Sequence, residues 1–107
     1  MPEGVKMAEG VWRKNLAVGE KMMVCRVWLD AGSVVPLHRH EHEQCTYVLR
    51  GSLRYRTGDR ELVLAAGQAL VVPSNVPHGV EALEETEVLD TFVPVRTEYL
   101  DEEAGAR

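Results

Sequence analysis

Residues 32–51 read GSVVPLHRHEHEQCTYVLRG, and residues 67–82 read GQALVVPSNVPHGVEA. Each stretch opens on a glycine and sets short valine and leucine runs beside histidine, and together they hold all four histidines of the chain. Prolines at 36, 73, 77 and 94, together with nine glycines, disfavour long helices in the chain. Both stretches therefore predict extended strands joined by tight turns.

Similar apolar runs recur along the rest of the chain, separated by turn residues. Gly58-Asp59, between two of them, is typical of a two-residue hairpin turn with glycine first. Seven or eight strands at intervals of about 8–12 residues predict an all-β sandwich or barrel. Only residues 96–107 have a composition compatible with a helix. The predicted strands span residues 21–29, 43–50, 53–57, 60–64, 69–72, 78–83 and 86–93.

Length and charge narrow the class of protein. The 107 residues predict a single domain over 1–107, with a barrel core at about 20–95 and a C-terminal tail at 96–107. The net charge of −5 argues against a binder of nucleic acid or of anionic membranes, because either would need a basic face. Arg54, Arg56 and Arg60 are interpreted as a solvated strand face.

The two cysteines and the N-terminal residues bear on the cellular compartment. Cys25 and Cys45 lie in separate apolar runs without a CxxC pair, so we expect buried free thiols. Residues 1–10 are acidic and lack the apolar segment of a signal peptide. No apolar run approaches the roughly 18 residues of a membrane helix. These features predict a cytoplasmic protein without a membrane partner.

The histidines point to a metal site. Imidazole is the commonest protein ligand for borderline transition metals. In an extended strand, residues two apart face the same side, so His38 and His40 would converge, with Gln44 one step further on that face. His78 would be delivered by a loop that Pro77 stiffens. The other interpretation is that this HxH pair, with its charged neighbours, is a solvated strand edge.

The spacing resembles the two motifs of the cupin family. The first stretch fits G-x5-H-x-H-x3-Q-x6-G from Gly32 to Gly51, and the second follows G-x5-P-x-G-x2-H-x3-N from Gly67 to Ala82. The resemblance implies a small double-stranded β-helix barrel of jelly-roll type. It also implies one divalent transition metal, with Ni, Mn, Fe, Co and Zn all suited to the ligands, held by His38, His40, Gln44 and His78.

Three residues depart from the cupin pattern. Asn75 replaces a glycine, and asparagine tolerates a left-handed backbone better than most residues. Ala82 replaces an asparagine that ligates nothing. Gln44 replaces a glutamate, which leaves a divalent site at a charge of +2 and favours an anionic ligand.

Other donors near Gln44 remain candidates. Glu43 would be the ligand if the motif were one residue out of register, and Cys45 would suit a thiophilic metal. His42 shares the parity of the ligands, and we interpret it as a residue beside the site or an exposed one.

A narrower resemblance points to a substrate. The segments HRHEHEQCTYVLRGSL, VVPSNVPHGVEALEETEVLD and FVPVRTEYL resemble the small pectin-degradation cupins of the KdgF type. Those cupins convert ring-closed 4,5-unsaturated uronates, released by polysaccharide lyases, into linear keto acids. The resemblance implies a small anionic sugar as substrate.

Asp90, Phe92 and Arg96 are three further candidates near the C-terminus. Val88, Asp90 and Phe92 share one face of the last strand, and burial there would raise the pKa of Asp90 and suit it to proton transfer. Arg96 would bind a uronate carboxylate with two hydrogen bonds, and Phe92 would provide a platform for the sugar ring. The alternatives are an aspartate in a turn, a surface arginine and an ordinary core phenylalanine. Tyr99 is interpreted as a packing residue.

Two other functions remain open at this point. The same histidines would serve an oxygenase with Fe(II) or another redox metal, and a cupin barrel also serves as a non-enzymatic binder of sugars or small acids. The resemblance also implies a homodimer. Val11, Trp12, Leu16 and Val18 lead us to expect that the first 20 residues add a strand across it.

Overall fold

The protein, represented by a computed structural model that describes residues 4–100, consists almost entirely of β-strands. Every strand pair is antiparallel. In chain order the strands are β1 (Val5–Ala8), β2 (Val11–Val18), β3 (Met23–Leu29), β4 (Val34–His38), β5 (Glu43–Arg50), β6 (Ser52–Thr57), β7 (Arg60–Ala65), β8 (Ala69–Val72), β9 (His78–Ala82) and β10 (Thr86–Val93).

The strands form two sheets that enclose a main apolar core, beside which Met23, Cys25, Phe92 and Tyr99 form a second, smaller cluster. The six-stranded sheet has the order β1-β2-β3-β10-β5-β8, and the four-stranded sheet has the order β4-β9-β6-β7. The chain passes repeatedly from one sheet to the other, so that β4 and β5 are consecutive in sequence but lie in opposite sheets. This arrangement confirms the all-β double-stranded β-helix expected from the sequence.

Strict alternation explains which side chains enter the core. Along β3, Met23, Cys25, Val27 and Leu29 are buried and the residues between them are not, as a strand with one face on a core requires. The same alternation in β6 turns its arginines outward, where they form ion pairs with Glu61 and Glu81. The prediction of a solvated arginine face is confirmed for β6.

The N-terminal residues form the first two strands of the six-stranded sheet. β2 pairs along its length with β3 of the same chain, and β1 pairs with β2 at the edge of the sheet. Val11 is fully buried in the core of its own chain, whereas Leu16 and Val18 are half exposed beyond a register shift after Asn15. A strand added across a dimer by this segment stays a prediction.

Three smaller expectations have mixed outcomes. Gly58 has a φ of +60°, and Asp59 is not among the residues with positive φ, as the predicted hairpin turn requires. Cys25 is buried, but Cys45 is only partly buried because it lies on the outer face of β5. Residues 97–100 are helical, and the rest of the tail expected to be helical lies outside the described residues. The described helical residues are too few to cross a lipid bilayer.

Candidate metal centre and its cavity

Three histidines from two segments meet at the open end of the cavity between the sheets. His38 is the last residue of β4 and pairs in register with His78, the first residue of β9. His40 lies in the connection between β4 and β5, not in a strand. His38 and His40 therefore do not share a strand face as expected, because the chain leaves one sheet at His38 and crosses toward the other.

The three side chains converge closely enough to hold one ion. One possible ligand atom from each of His38, His40 and His78 lies within 4.8 Å of the others. The ring centroids are 4.3 Å apart for His38 and His78, and 4.8 Å apart for His40 and His78. His42, by contrast, is not part of this triad, although its ring centroid lies 5.5 Å from that of His40.

Backbone carbonyls fix the orientation of all three rings. Each histidine places Nδ1 at hydrogen-bond distance from a carbonyl oxygen: His38 to Pro36 at 2.9 Å, His40 to His42 at 2.8 Å and His78 to Val76 at 2.9 Å. Because an Nδ1 that points at a carbonyl oxygen carries a proton, Nε2 is the nitrogen of each ring that remains to face a ligand. Metal-binding histidines commonly have this arrangement.

Burial and neighbouring charges favour the neutral state of His40 and His78, which is the state that binds metal. Burial lowers the pKa of His78 to about 4, and neighbouring His38, His40 and Arg96 lower it further. Burial and the charge of Arg96 also lower the pKa of His40. The Nε2 atom of His78 is buried without a hydrogen-bond partner, as expected of a donor atom reserved for a ligand.

Gln44 completes a donor set that fits a cation. Its Oε1 lies 3.0 Å from Nε2 of His40, whose proton is on Nδ1. A lone pair of Nε2 and a lone pair of Oε1 therefore face each other and repel. Protonation of Nε2 would remove this repulsion, but the lowered pKa of His40 opposes it. A divalent cation between the two atoms would attract both. The donor set thus fits a transition metal ion.

Glu43 and Cys45, the other candidate ligands next to Gln44, face away from the histidines. Gln44 is buried on the inner face of β5, whereas Glu43 is exposed and Cys45 lies on the outer face. Alternation along the strand thus brings only Gln44 of the three toward the histidines.

A tight turn braces the connection that holds His40. Asn75 has a φ of +63°, the left-handed conformation that asparagine tolerates, as expected at this departure from the cupin pattern. Its backbone N–H donates to the carbonyl oxygen of His40 at 2.8 Å. The loop before β9 therefore supports the loop before β5, so both histidine-bearing segments are held together.

Asp90 lies deeper in the same cavity. Its Oδ1 accepts hydrogen bonds from Thr46 at 2.7 Å and from Gln44 at 3.2 Å. Within residues 4–100 no side-chain hydrogen bond reaches Oδ2, so the second oxygen is left for the cavity that Asp90 lines. Burial raises the pKa of Asp90 to about 6, although these two hydrogen bonds and the charge of Arg96 oppose the shift.

Arg96 lines the cavity but already contacts a carboxylate. Its Nε and Nη2 lie 3.2 Å and 3.1 Å from Oε2 of Glu98, and Nη1 donates to the hydroxyl of Tyr99 at 2.7 Å. The guanidinium also stacks on Tyr99, 4.0 Å from the ring centroid. The arginine is therefore oriented by its own neighbours before any ligand binds.

Phe92 and Tyr99 form one wall of this cavity. Phe92 is buried and makes edge-to-face contacts with His40 and Tyr99 at centroid distances of 5.8 Å and 5.6 Å. Tyr99 is buried as well and stacks against Arg13 and Arg96. Tyr99 packs as expected, and it also contributes to the site by holding two arginines.

Sequence reasoning missed Arg13, Thr46 and Tyr55. Arg13 is fully buried, lines the cavity and stacks 3.6 Å from the centroid of Tyr99. Thr46 and Tyr55 contact Gln44 and Asp90 from behind. Parity with Gln44 along β5 would have placed Thr46, but nothing in the order of residues brings Arg13 and Tyr55 from distant strands to this point.

Comparisons with known proteins agree with this geometry. The family model of the cupin domain matches residues 25–92. The pectin degradation protein KdgF of Dickeya dadantii (strain 3937) is 33% identical over 97 residues, which are 89% of this chain and 88% of that protein. The structure of KdgF from Halomonas sp. superposes with a TM-score of 0.86 at 33% identity, covering 90% of this chain and 89% of that one.

A second solved structure extends the likeness. An RmlC-like cupin from Shewanella frigidimarina NCIMB 400 has a TM-score of 0.86 and 30% identity, covering 92% of this chain and 88% of that one. The match to the family model, the 33% identity over most of both chains and the shared fold identify the protein: it belongs to the cupin family and, within that family, is related to KdgF.

Proposed function

We propose that this protein is a metal-dependent enzyme that converts ring-closed 4,5-unsaturated uronates into linear keto acids. The relationship to a pectin degradation protein supports this substrate class. The chemistry of the cavity supports the reaction, because metal-ligand donors, an acid–base group and a cation line the same space.

The metal would be held by four neutral donors. His38, His40 and His78 contribute Nε2, and Gln44 contributes Oε1, so a divalent ion keeps its full charge of +2. When bound, such an ion supplies a Lewis acid that polarises substrate oxygens. Nickel, manganese, iron, cobalt and zinc all suit this donor set, and affinity alone does not decide which of them a cell loads.

Arg96 would bind the substrate carboxylate. Its guanidinium offers the planar pair of donors that matches a carboxylate. The side chain is only 13% exposed, so the interaction would be shielded from bulk water. Phe92, which lines the cavity from within the core, would limit the position of the sugar ring.

Asp90 would move the proton that the reaction requires. Opening the ring removes a proton from the anomeric hydroxyl and breaks the bond between the anomeric carbon and the ring oxygen. The ring oxygen becomes the ketone oxygen on carbon 5, and a proton is added to carbon 4 of the former double bond. No atom is gained or lost in this isomerisation, so one carboxylate that accepts and then returns a proton suffices. A pKa near 6 suits a group that does both close to neutral pH.

The observation that carries the proposal is the position of Asp90 relative to the other groups. One oxygen is held by Thr46 and Gln44, and the other is left for the cavity that His38, His78 and Arg96 also line. This arrangement supports a role for Asp90 as an oriented acid–base group.

The test follows the ultraviolet absorbance of an unsaturated galacturonate monomer in the presence of metal-loaded protein. We expect a clear acceleration over the spontaneous rate, and no acceleration after chelation. Asp90→Asn should lower turnover by about 10²–10⁴-fold, since it removes the proton acceptor. The asparagine can still accept hydrogen bonds from Thr46 and Gln44, whereas alanine would leave both donors unsatisfied.

Asp59→Asn is the matched control, because Asp59 lies in the exposed hairpin turn. Its activity should equal that of the wild-type protein. Full activity of Asp90→Asn would overturn the role proposed for Asp90. If the wild-type protein accelerates the reaction with none of the five metals, the proposed function is overturned. Oxygen consumption would then test the oxygenase, and ligand binding without conversion would favour a binding protein.

We also propose that the single domain acts as a homodimer. Tyr47, Leu49 and Val71 are 41%, 38% and 53% exposed, and they lie on adjacent strands at the outer face of the six-stranded sheet. Exposed apolar residues side by side are typical of a contact surface. Light scattering of the purified protein should give a mass of about twice 12.0 kDa, and a monomer mass would contradict the proposal.

A further inference from the structure

A small hydrogen-bond cluster lies behind the amide of Gln44, on the side away from the histidines. The Nε2 of Gln44 donates to the hydroxyl of Thr46 at 3.0 Å and to Oδ1 of Asp90 at 3.2 Å. Thr46 donates to the same carboxylate oxygen at 2.7 Å, and the hydroxyl of Tyr55 lies 3.2 Å from Thr46. Gln44, Thr46 and Tyr55 are all buried, so water does not substitute for these contacts.

The supply of protons determines the direction of every bond in this cluster. A carboxylate oxygen only accepts, so the one hydroxyl proton of Thr46 is donated to Asp90. The two lone pairs of Thr46 then accept from the amide of Gln44 and from the hydroxyl of Tyr55. The threonine hydroxyl therefore uses its full capacity of one donor and two acceptors.

The same count determines which way the amide of Gln44 faces. With its NH2 group toward Thr46 and Asp90, the amide turns Oε1 to the histidine side, 3.0 Å from Nε2 of His40. The opposite orientation of the amide would set Oε1 against an oxygen of Asp90 and leave one lone pair of Thr46 without a donor. A buried acceptor without a donor costs about 1–3 kcal/mol, so the opposite orientation is disfavoured.

We infer that Thr46 is a positioning residue that orients the amide of Gln44, so that its carbonyl oxygen is presented as the fourth ligand of the metal. The carbonyl end of an amide binds a metal ion and the NH2 end does not. The inference rests on the metal site of the proposed function and not on its uronate substrate. It adds to that site a residue that acts on the metal through the amide of Gln44.

The test measures metal affinity instead of turnover. Thr46→Val keeps the volume and removes the hydroxyl, and Thr46→Ser restores the hydroxyl. Thr86→Val is the matched control, because Thr86 is equally buried and hydrogen-bonded but lies at the opposite end of β10 from the site. Dissociation constants for Ni(II) and Zn(II) are obtained by competition with a chromophoric chelator, and the visible spectrum of the Co(II) protein reports the ligand set.

We expect Thr46→Val to weaken metal binding by about tenfold, within the range found when a group behind a metal ligand is lost. Thr46→Ser should bind close to wild type, and Thr86→Val should bind as wild type does even if it unfolds more easily. The cobalt spectrum should shift in Thr46→Val alone. Tyr55→Phe, which removes the donor to Thr46 and an acceptor 3.4 Å from Nε2 of Gln44, provides a second and smaller effect if Thr46→Val does not fold.

Two results would overturn the inference without affecting the proposed substrate. One is wild-type affinity and an unchanged cobalt spectrum in Thr46→Val, or in Tyr55→Phe if Thr46→Val does not fold. The other is equal weakening in Thr46→Val and Thr86→Val, which would mean a general loss of stability. Absence of metal binding by the wild-type protein would instead overturn the metal site itself, so the two failures are distinguishable.

Discussion

Arg96 and Glu98 form an ion pair in which two guanidinium nitrogens meet one carboxylate oxygen, Nε at 3.2 Å and Nη2 at 3.1 Å from Oε2. The two side chains differ in accessibility, with Arg96 at 13% and Glu98 at 49% exposure. A carboxylate from the protein itself thus occupies the donors that we propose for the substrate. A substrate carboxylate would have to displace it.

Glu98→Gln should therefore improve substrate binding. Removing the competing charge should lower KM about two- to fivefold with little change in kcat, because a partly exposed ion pair contributes up to about 1 kcal/mol. Steady-state kinetics on the uronate monomer measures both constants. Glu81→Gln, which changes an exposed glutamate paired with Arg54, is the control. A raised KM in Glu98→Gln would mean that Glu98 orients Arg96 and does not compete with the substrate.

The pKa of Asp90 predicts a pH dependence of stability in chelator-treated protein. A pKa of about 6 in the folded state, against 3.8 as the ordinary value, means that the folded protein holds its proton more tightly between these pH values. Stability contributed by the neutral carboxyl is thus lost as pH rises through this window. Asp90→Asn should remove the loss and raise the free energy of unfolding above pH 7 by on the order of 2 kcal/mol.

His78 contributes with the opposite sign in the same range. Its pKa is lowered to about 4 from 6.5, so the unfolded chain binds the proton first and stability is lost as pH falls. The two contributions partly cancel in the wild-type protein. Urea unfolding from pH 4.5 to 7.5 should show a steeper rise of stability with pH in Asp90→Asn than in wild type. Parallel curves for the two proteins would contradict the raised pKa.

Removing one histidine of the triad should abolish tight metal binding. His78→Ala deletes a donor whose Nε2 has no other partner, so we expect affinity to fall by more than about 100-fold, beyond the effect of losing a group behind a ligand. Metal content after dialysis measures the loss. His42→Ala is the matched control, since His42 is a neighbouring histidine outside the triad. Equal metal content in both variants would contradict the ligand assignment.

The framing glycines of the cupin pattern should differ in their tolerance of alanine. Gly51 and Gly67 have φ values of +88° and +85°, so either substitution forces a left-handed alanine at a cost of about 1–2 kcal/mol. A Cβ at Gly51 would also overlap the backbone carbonyl oxygen of Glu85, whereas open space surrounds Gly67. Gly51→Ala should cost about 1–3 kcal/mol more than Gly67→Ala.

Urea unfolding of both variants at neutral pH tests this difference. Equal losses of stability in the two variants would contradict the prediction. They would mean that the backbone at the start of β10 shifts readily to accommodate the methyl group added at Gly51.

Much of the site was predictable wherever a residue lies within a regular strand. Gln44 faces inward on β5, and Asp90 and Phe92 line the cavity from β10, as period-two alternation requires. His40 lies in a connection, where that rule does not apply, although the spacing of the cupin motif still predicted its convergence with His38 and His78. Their roles as ligands and catalytic groups stay predictions that the experiments above test.

The N-terminal strand could not be placed from its own residues. Its alternation is interrupted where the pairing with β3 shifts between Asn15 and Ala17, so burial changes along the strand. Which edge such a strand joins depends on the open edge of β3 in the folded sheet, and that edge is not visible in the local pattern.

The order of residues was enough to predict the all-β fold and the inward face of the regular strands, because glycine, proline and alternation act over short distances along the chain. The histidine–glutamine set was predicted from the spacing of the cupin motif, since His40 lies outside any strand. The folded structure was needed to find that Glu98 occupies Arg96, that Arg13 stacks on Tyr99, and that Tyr55 reaches Gln44. Arg96 and Glu98 are close in sequence, but their pairing depends on how the chain turns after β10. The contacts of Arg13 with Tyr99, 86 residues apart, and of Tyr55 with Gln44 depend on which strands become neighbours when the two sheets close, and no local pattern encodes that.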